Sequence, residues 1–411
     1  MSASPSPGIR GPSDTPARPS VHSRGPRSAG ARVLASSSRR TGGAMIVRRV
    51  IWVVSLLLAC GGGTASTTPP VGDPTQAPSP PSSETSSGRP TDPDATEVTL
   101  ASRAGSALAL TSTEVFYATV DQPELPASTR AEYPILAVSK AGGPPRHVSV
   151  GAEYPVALAA NEQFVYWATS ASSGPVAKLY RAPASGGAAE VVFSGLFLSD
   201  LAVDDRNIYF ASFPGSGAGT GAVYALPHTS RSPLVLHDGL TMWGWRTGFT
   251  IDDEFVYFVD DPPPANLDGT GDRAFILRVP KSGGAAEVVV DCASDRACGW
   301  FAIRADWERL YFLDAASDVW AQRKTDGERT KITTLGKYTD FDVNGSSVYA
   351  TIDWWNARWN PDPRPRPGLT RSDGTGEVYL DSSVMIGWTS PRVDDRYVYY
   401  VRSDQLVRHL R

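Results

Sequence analysis

The chain has 411 residues, with 39 Lys and Arg against 43 Asp and Glu, and only three Cys. If residues 1–59 are removed on export, nine Arg and one Asp are lost and the net charge becomes about −12. Such an acidic chain argues against nucleic acid as a partner, because nucleic-acid binding depends on basic side chains. It also argues against broad contact with anionic lipid headgroups, so membrane attachment requires an anchor.

The first 95 residues predict a leader and a tether. Residues 1–44 are rich in Ser, Pro, Arg and Gly, so we expect a disordered segment, or an extension upstream of a true start at Met45. Residues 45–59 combine a short charged start with an apolar run, which is typical of a secretory signal too short to span a bilayer. Residues 60–95 are mostly Gly, Ser, Thr and Pro and predict a tether.

The end of the leader, Leu57-Leu58-Ala59-Cys60, resembles the bacterial lipobox. The resemblance implies that Cys60 is lipidated and becomes the mature N-terminus. We therefore expect a lipid-anchored protein of the bacterial cell envelope, at the outer membrane, in the periplasm or at the cell surface. The alternative is an ordinary signal peptide with a chance Cys.

Residues 96–411 contain seven copies of one sequence pattern. An apolar stretch ends in a turn, often Asp-Asp, and a strand rich in Val, Tyr and Phe follows. One aromatic residue in each copy, its anchor, recurs every 38 to 54 residues. The anchors are Phe116, Tyr166, Tyr209, Tyr257, Tyr311, Tyr349 and Tyr399. Self-similarity at this period predicts an all-β fold, a single β-propeller of seven four-stranded blades, with six blades as the alternative.

The two ends of the array predict how the propeller closes. After Tyr399 the chain has room for one more strand, at residues 405–410, which leaves the last blade a strand short. The β-like run at residues 97–101 precedes the first blade and belongs to no copy of the repeat. We predict that it completes the last blade and removes an exposed sheet edge.

Residues 164–187 carry a family resemblance. Phe164-Val-Tyr-Trp-Ala-Thr169, followed by Leu179-Tyr-Arg-Ala-Pro-Ala-Ser-Gly-Gly187, is similar to YWTD-type and Tol-associated (TolB-like) β-propeller repeats. Ser170 stands where the YWTD motif ends in Asp, so the role of that Asp is not carried over. The resemblance implies an extracytoplasmic binding or assembly module, and it implies no particular reaction, because propellers host unrelated chemistries.

Two groups of aromatic residues are candidate ligand-binding positions. One group recurs eleven or twelve residues before the anchors and predicts either packing between blades or an aromatic collar at the channel mouth. Its members are Tyr154, Phe197, Trp245, Trp300, Tyr338 and Trp388. The other group is Trp354, Trp355 and Trp359, which either cover the propeller or meet a partner.

Cysteine and acidic residues suggest two further sites. Cys292 and Cys298 lie close in sequence and predict a disulfide in an oxidising compartment. Asp260, Asp268 and Asp272 are candidate Ca²⁺ ligands, with an ordinary turn-rich loop as the alternative. No other cofactor or metal is expected. The Asp-Asp turns themselves are interpreted as turn chemistry, since Asp bonds its own backbone there.

No catalytic motif is present at sequence level: Gly-x-Ser-x-Gly, His-Glu-x-x-His and phosphate-binding Gly loops are all missing. We therefore expect a monomeric binding or scaffold module for an envelope protein or glycan, with Trp245, Trp300 and Trp388 as its foremost surface. The alternative is a propeller enzyme, a lyase or hydrolase, whose sign would be a cluster of ionisable groups with shifted pKa values facing the channel. A third possibility is a purely structural part of an envelope complex.

Overall fold

The computed structural model describes residues 96–119, 133–151, 154–169, 176–195, 197–213, 220–241, 248–260, 274–292, 302–314, 316–334, 338–352, 368–382 and 390–411. All of them belong to one unit, Pro81–Arg411. The predicted leader, lipidation site and tether lie outside the described residues and stay predictions.

The described residues form seven antiparallel sheets of four strands each, arranged as a β-propeller. Blade 1 contains β2 (Ala104–Leu110), β3 (Glu114–Thr119), β4 (Tyr133–Ser139) and β5 (Arg146–Gly151). Blade 2 contains β6 (Pro155–Ala160), β7 (Phe164–Thr169), β8 (Ala177–Pro183) and β9 (Glu190–Gly195). Blade 3 contains β10 (Phe197–Val203), β11 (Asn207–Phe213), β12 (Gly221–Pro227) and β13 (Leu234–Leu240).

Blades 4 to 7 follow the same order from the inner to the outer strand. Blade 4 contains β14 (Phe249–Ile251), β15 (Phe255–Asp260), β16 (Phe275–Pro280) and β17 (Glu287–Asp291). Blade 5 contains β18 (Ile303–Ala305), β19 (Arg309–Leu313), β20 (Val319–Arg323) and β21 (Arg329–Lys331). Blade 6 contains β22 (Tyr338–Asn344), β23 (Ser347–Ile352), β24 (Gly368–Ser372) and β25 (Glu377–Asp381). Blade 7 contains β26 (Arg392–Val393), β27 (Tyr397–Arg402), β28 (Gln405–Leu410) and β1 (Glu97–Ala101).

Blade 7 confirms the predicted closure by the N-terminal strand. β1 pairs antiparallel with β28, with Glu97 opposite His409 and Ala101 opposite Leu406. Arg402 adds an ionic tie, because it donates to Glu97 at 2.7 Å and to Asp381 of blade 6 at 3.2 Å. Seven complete blades exclude the six-blade alternative.

The second strand of each blade forms the centre of the core. The strand β7, Phe-Val-Tyr-Trp-Ala-Thr, has large apolar side chains on both faces, and five of its six residues are buried. A strand buried on both faces reads as a continuous apolar run because each blade lies between two neighbours. All seven anchors are at most 1% exposed, as the repeat predicts.

The strand order gives the propeller two different faces. The turns between first and second strands and between third and fourth strands lie on one side, the turn face. The connections between second and third strands and between blades lie on the other side, the loop face. The longer connections therefore leave from the loop face, between residues 119 and 133, 260 and 274, and 352 and 368.

On the turn face, an Asp, the anchor Tyr and a Lys of the next blade form a repeated contact. In blade 3, Asp204 Oδ1 accepts hydrogen bonds from Arg206 N and Asn207 N, both at 2.9 Å. Asp204 Oδ2 accepts from Tyr209 Oη at 2.9 Å and from Nζ of Lys281, in blade 4, at 2.8 Å. Two further junctions repeat it, with the sets Asp252, Tyr257, Lys324 and Asp394, Tyr399, Lys140.

In the described part of the chain, no helix has the length and apolar content needed to cross a bilayer.

Candidate functional site in the central channel

One residue of each inner strand pairs directly with the anchor of its blade, and these seven residues form an inner layer around the channel. The inner layer consists of Ala109, Ala159, Ala202, Thr250, Arg304, Asp342 and Arg392. Blades 1 to 4 carry small side chains there, whereas the adjacent blades 5, 6 and 7 carry ionisable ones. Because alanine satisfies the fold at the equivalent position, the fold itself does not demand these three charges.

The charged part of the layer, together with Asp340 on β22, forms the channel cluster: Arg304, Asp340, Asp342 and Arg392. Arg304 of blade 5 reaches across to blade 6, where Nη2 donates to Asp340 Oδ1 at 3.1 Å. Its Nε lies 3.6 Å from Asp342 Oδ1. The side chain of Arg304 is 13% exposed, so it is largely but not wholly withdrawn from water.

Backbone groups and blade 7 hold the two carboxylates in place. Asp340 Oδ1 accepts from Phe341 N at 2.7 Å, and its Oδ2 accepts from the hydroxyl of Ser390. Asp342 Oδ1 accepts from Val343 N at 3.0 Å, and its Oδ2 accepts from Val393 N at 2.9 Å. Both carboxylates therefore have fixed positions before any ligand arrives, as a preorganised site requires.

Arg392 of blade 7 completes the channel cluster and has fewer partners. Its Nη1 donates to the carbonyl oxygen of Pro391 at 3.0 Å. Among the described residues, no carboxylate lies within ion-pair distance of its guanidinium. The charge of Asp200, an exposed residue of β10, acts to raise the pKa values of both Arg304 and Arg392.

Burial shifts the ionisation of this cluster. Burial raises the pKa of Asp342 above its usual range, against the opposing effect of Arg304 and Arg392. Burial and the neighbouring Arg304 cation lower the pKa of Arg392. Burial also acts to lower the pKa of Arg304, but Asp340, Asp342 and Asp200 outweigh it and raise that pKa. Shifted pKa values of this kind cluster at functional sites, and buried structural ion-pair networks produce them as well.

The predicted aromatic collar is described at three of its positions. Tyr154 is half-buried and its ring meets the edge of Tyr133, with centroids 5.2 Å apart. Phe197 begins β10. Tyr338 is 2% exposed, packs in the core of blades 5 and 6, and donates through its hydroxyl to Glu377 at 2.6 Å. At Tyr338 the packing alternative therefore applies, because a buried ring cannot contact a ligand.

The other candidate aromatic residues lie outside the described residues. They are Trp245, Trp300, Trp354, Trp355, Trp359 and Trp388. The most exposed large apolar side chain in the described part of the chain is instead Trp307, 84% exposed in a turn of blade 5 on the turn face. Trp307 was not among the predicted positions.

The predicted disulfide and calcium sites are each described at one residue. Cys292 is buried at 6% exposure, and Cys298 lies outside the described residues, so the disulfide stays a prediction. Asp260 accepts from Thr241 N at 2.7 Å and from Thr241 Oγ1 at 2.5 Å, while Asp268 and Asp272 are not described. Among the described residues, no three His, Cys, Asp or Glu side chains come together as a metal site.

The sequence analysis missed the channel cluster although a signal for it exists. Every residue of the inner layer stands seven residues before its anchor. Aligning the seven copies on their anchors therefore isolates one column, in which Ala or Thr changes to Arg304, Asp342 and Arg392 in the last three copies. Asp340 stands in a second column, nine residues before the anchor, where five of the seven copies carry Ala, Gly or Ser and two carry Asp200 and Asp340.

Several solved structures are similar to this chain at low sequence identity. No protein-family model matches the chain, and no curated protein matches its sequence. TolB from Acinetobacter baumannii is 15% identical over 73% of this chain and 64% of TolB, with a TM-score of 0.41. BamB from Moraxella catarrhalis is 12% identical over 73% of this chain and 80% of BamB, with a TM-score of 0.40. Sqt1 from Saccharomyces cerevisiae is 9% identical over 77% of this chain and 99% of Sqt1, with a TM-score of 0.45.

Likenesses this distant bear on no function, and the architecture rests on the chain's own strand pairing. That pairing establishes a seven-bladed β-propeller, closed by its N-terminal strand and carrying a charged cluster on three adjacent inner strands.

Proposed function

We propose that this protein is a lipid-anchored module of the bacterial cell envelope that binds an envelope protein or glycan at the loop face of its propeller. The observation that carries the proposal is the unequal inner layer, with small residues on four blades and a preorganised charged cluster on the other three. A ring that only had to hold itself together would need no such difference between equivalent positions.

The channel cluster lies towards the turn-face end of the inner strands, since Arg304 and Arg392 each stand two residues before the Asp of a turn, so a ligand held at the loop face would reach it through the channel. Variable connections on a rigid scaffold are where binding usually resides, and the longer connections of this propeller leave from that face. Trp245, Trp300 and Trp388 stand in the sequence between the last strand of one blade and the first strand of the next, and we keep them as the first candidates for contact with a partner. Trp354, Trp355 and Trp359 are the second.

The anchoring part of the proposal rests on sequence. The apolar leader and Leu57-Leu58-Ala59-Cys60 support export and lipidation at Cys60. Residues 61–95 then give a tether rich in Gly, Ser and Pro that holds the propeller away from the membrane.

A second candidate function is an enzyme, a lyase or hydrolase acting at the channel mouth. The observation that favours it is the raised pKa of Asp342 beside Asp340 and Arg304, since a carboxyl group with a raised pKa can serve as a general acid. Hydrolases that use two carboxyl groups pair one that is protonated with one that is ionised.

The test is an affinity capture from native envelope extract with the mature protein as bait. Beside the parent we would use the triple variant Trp245→Ala, Trp300→Ala, Trp388→Ala, after checking that it is folded. The matched control is Trp307→Ala, which removes an exposed Trp from the opposite face.

We expect a protein or glycan that the parent and the Trp307→Ala control retain and the triple variant loses. A ligand held equally by all three proteins would contradict the proposed surface. A ligand recovered in cleaved form from the parent alone would favour the enzyme.

A further inference from the structure

Among the described residues, the polar contacts of the inner layer join blade 5 to blade 6 and blade 6 to blade 7, and they do not continue to blade 1. Arg304 of blade 5 contacts Asp340 and Asp342 of blade 6. Asp342 in turn accepts from the backbone of blade 7, at Val393 N, beside Arg392. The next inner strand, Ala104–Leu110 of blade 1, has the sequence Ala-Gly-Ser-Ala-Leu-Ala-Leu and contains no ionisable residue. The series therefore ends on a cation, Arg392, with no acidic counterpart on the inner strand of the following blade.

Arg392 keeps donor capacity that the described protein does not use. A guanidinium carries five N–H donors in a planar fork, and the hydrogen bond that Arg392 makes within the described residues goes to Pro391 O. Its neighbour Asp342 has both oxygens occupied by backbone N–H groups. Asp340 is likewise occupied by a backbone N–H, Ser390 and Arg304. The carboxylates of the cluster thus hold their positions without a hydrogen bond from Arg392.

The inner layer offers Arg392 no charged partner at the equivalent positions of blades 1 to 3. The positions equivalent to Arg392 on blades 1 to 3 are Ala109, Ala159 and Ala202, whose side chains are single methyl groups. Burial, together with Arg304, lowers the pKa of Arg392, which is the expected behaviour of a cation that lacks a close counter-ion.

We propose that Arg392, with Arg304 behind it, binds a carboxylate group of a ligand that enters the central channel. A guanidinium fork matches the two oxygens of a carboxylate, and such bidentate pairs are strong and directional. Asp340 and Asp342 already lie beside Arg304, and the charge of Asp200 acts on both arginines, so a singly charged carboxylate fits better than a doubly charged phosphate. The inference rests on the proposed binding function and narrows its ligand to a uronic acid of a glycan or a free carboxylate of a peptide.

The test is titration calorimetry on the purified mature protein with paired probes. The glycan pair is galacturonate and galactose, and the peptide pair is one short peptide with a free and with an amidated C-terminus. Inorganic phosphate is a third probe. We expect binding of at least one carboxylate probe and no measurable binding of its neutral partner, and the pair that responds identifies the source of the carboxylate.

The variant Arg392→Gln should weaken that binding about tenfold to a hundredfold, the usual effect of losing hydrogen bonds to a charged group. The matched control Arg206→Gln removes an exposed arginine on the turn face and should leave binding unchanged. Equal binding of charged and neutral probes, tighter binding of phosphate, or unchanged binding by Arg392→Gln would each overturn the proposal.

The variant Asp342→Asn keeps the inference testable if Arg392→Gln does not fold. It removes a negative charge beside Arg392 at nearly constant shape, so carboxylate binding should tighten severalfold, and unchanged or weaker binding would overturn the proposal. Absence of carboxylate binding by the parent would remove this inference alone. The capture experiment, which depends on the three Trp residues, decides the proposed function separately.

Discussion

At the residue scale, the two carboxylate oxygens of an aspartate in the Asp-Asp turns have different hydrogen-bond partners. One oxygen of Asp204 caps its own turn, as the sequence pattern indicated, and the other receives Tyr209 and Lys281. The contact with Lys281 was not foreseen, because Lys281 lies 77 residues from Asp204 along the chain. A signal was available, since Lys140, Lys281 and Lys324 each stand at the start of the Gly-containing turn of an outer hairpin.

We predict that Asp204→Asn destabilises the protein and that Asp205→Asn does not. The first change leaves Lys281 partly buried without its ion-pair partner, which should lower the free energy of unfolding by about 1–3 kcal/mol. Asp205 is exposed in the same turn, so its change should stay within about 0.5 kcal/mol. Urea denaturation at pH 7 measures both, and equal effects would contradict the assigned role of Asp204.

The ion pair of Asp204 and Lys281 also predicts how its contribution to the free energy of unfolding depends on pH. Burial acts to raise the pKa of Asp204, but Lys281, two backbone N–H groups and Tyr209 outweigh it and lower the pKa to about 2. A carboxyl whose pKa is depressed by folding contributes stability above its unfolded pKa and loses it as the pH falls through its folded pKa. The stability gap between the parent and Asp204→Asn should therefore shrink as the pH is lowered from about 4 towards 2.

At the element scale, the pairing of β1 was predictable because the last copy of the repeat lacks its fourth strand. The last copy ends one strand short, and residues 97–101 are a β-like run that no blade uses. What the sequence could not provide is the tie from Arg402 to Glu97 and Asp381, because exposed Arg and Glu residues carry no pairing signal of their own. This tie links the N-terminal strand to blade 6 as well as blade 7.

Deletion of residues 97–101 should lower the melting temperature and promote aggregation. The deletion removes the only partner that β28 has on its outer side in the described sheet and exposes a strand edge, which is a template for association with other chains. Deletion of residues 81–85 from the tether is the control and should leave the melting temperature unchanged. A thermal melt with light scattering detects both effects, and an unchanged melt for the first deletion would refute the role of β1.

At the scale of the whole molecule, the propeller architecture could be predicted from the sequence more fully than the candidate site could. Large buried aromatics recur in every blade because every blade must pack between two others, so the seven anchors were sufficient to count blades. A site is by nature a departure from the repeat. Arg304, Asp342 and Arg392 are such departures, and three charges among 82 charged residues are invisible until the copies are aligned on their anchors.

The proposed anchor makes a prediction for the intact protein in its cell. Cys60→Ala should abolish incorporation of labelled palmitate and move the mature protein out of the membrane fraction, because the lipid is then missing and the net negative charge of the mature chain disfavours anionic headgroups. Ser66→Ala, a change in the tether, should alter neither. Membrane-bound, labelled Cys60→Ala protein would show that attachment occurs elsewhere.

The pairing of β1 with β28 also makes closure of the ring a late step in folding. Glu97 and Arg402 are 305 residues apart, so closure brings together the two ends of the propeller sequence. Contacts of such long range form slowly, whereas blades 1 to 6 each form from neighbouring segments. A chain that stops before residue 405 therefore keeps β1 unpaired beside six complete blades.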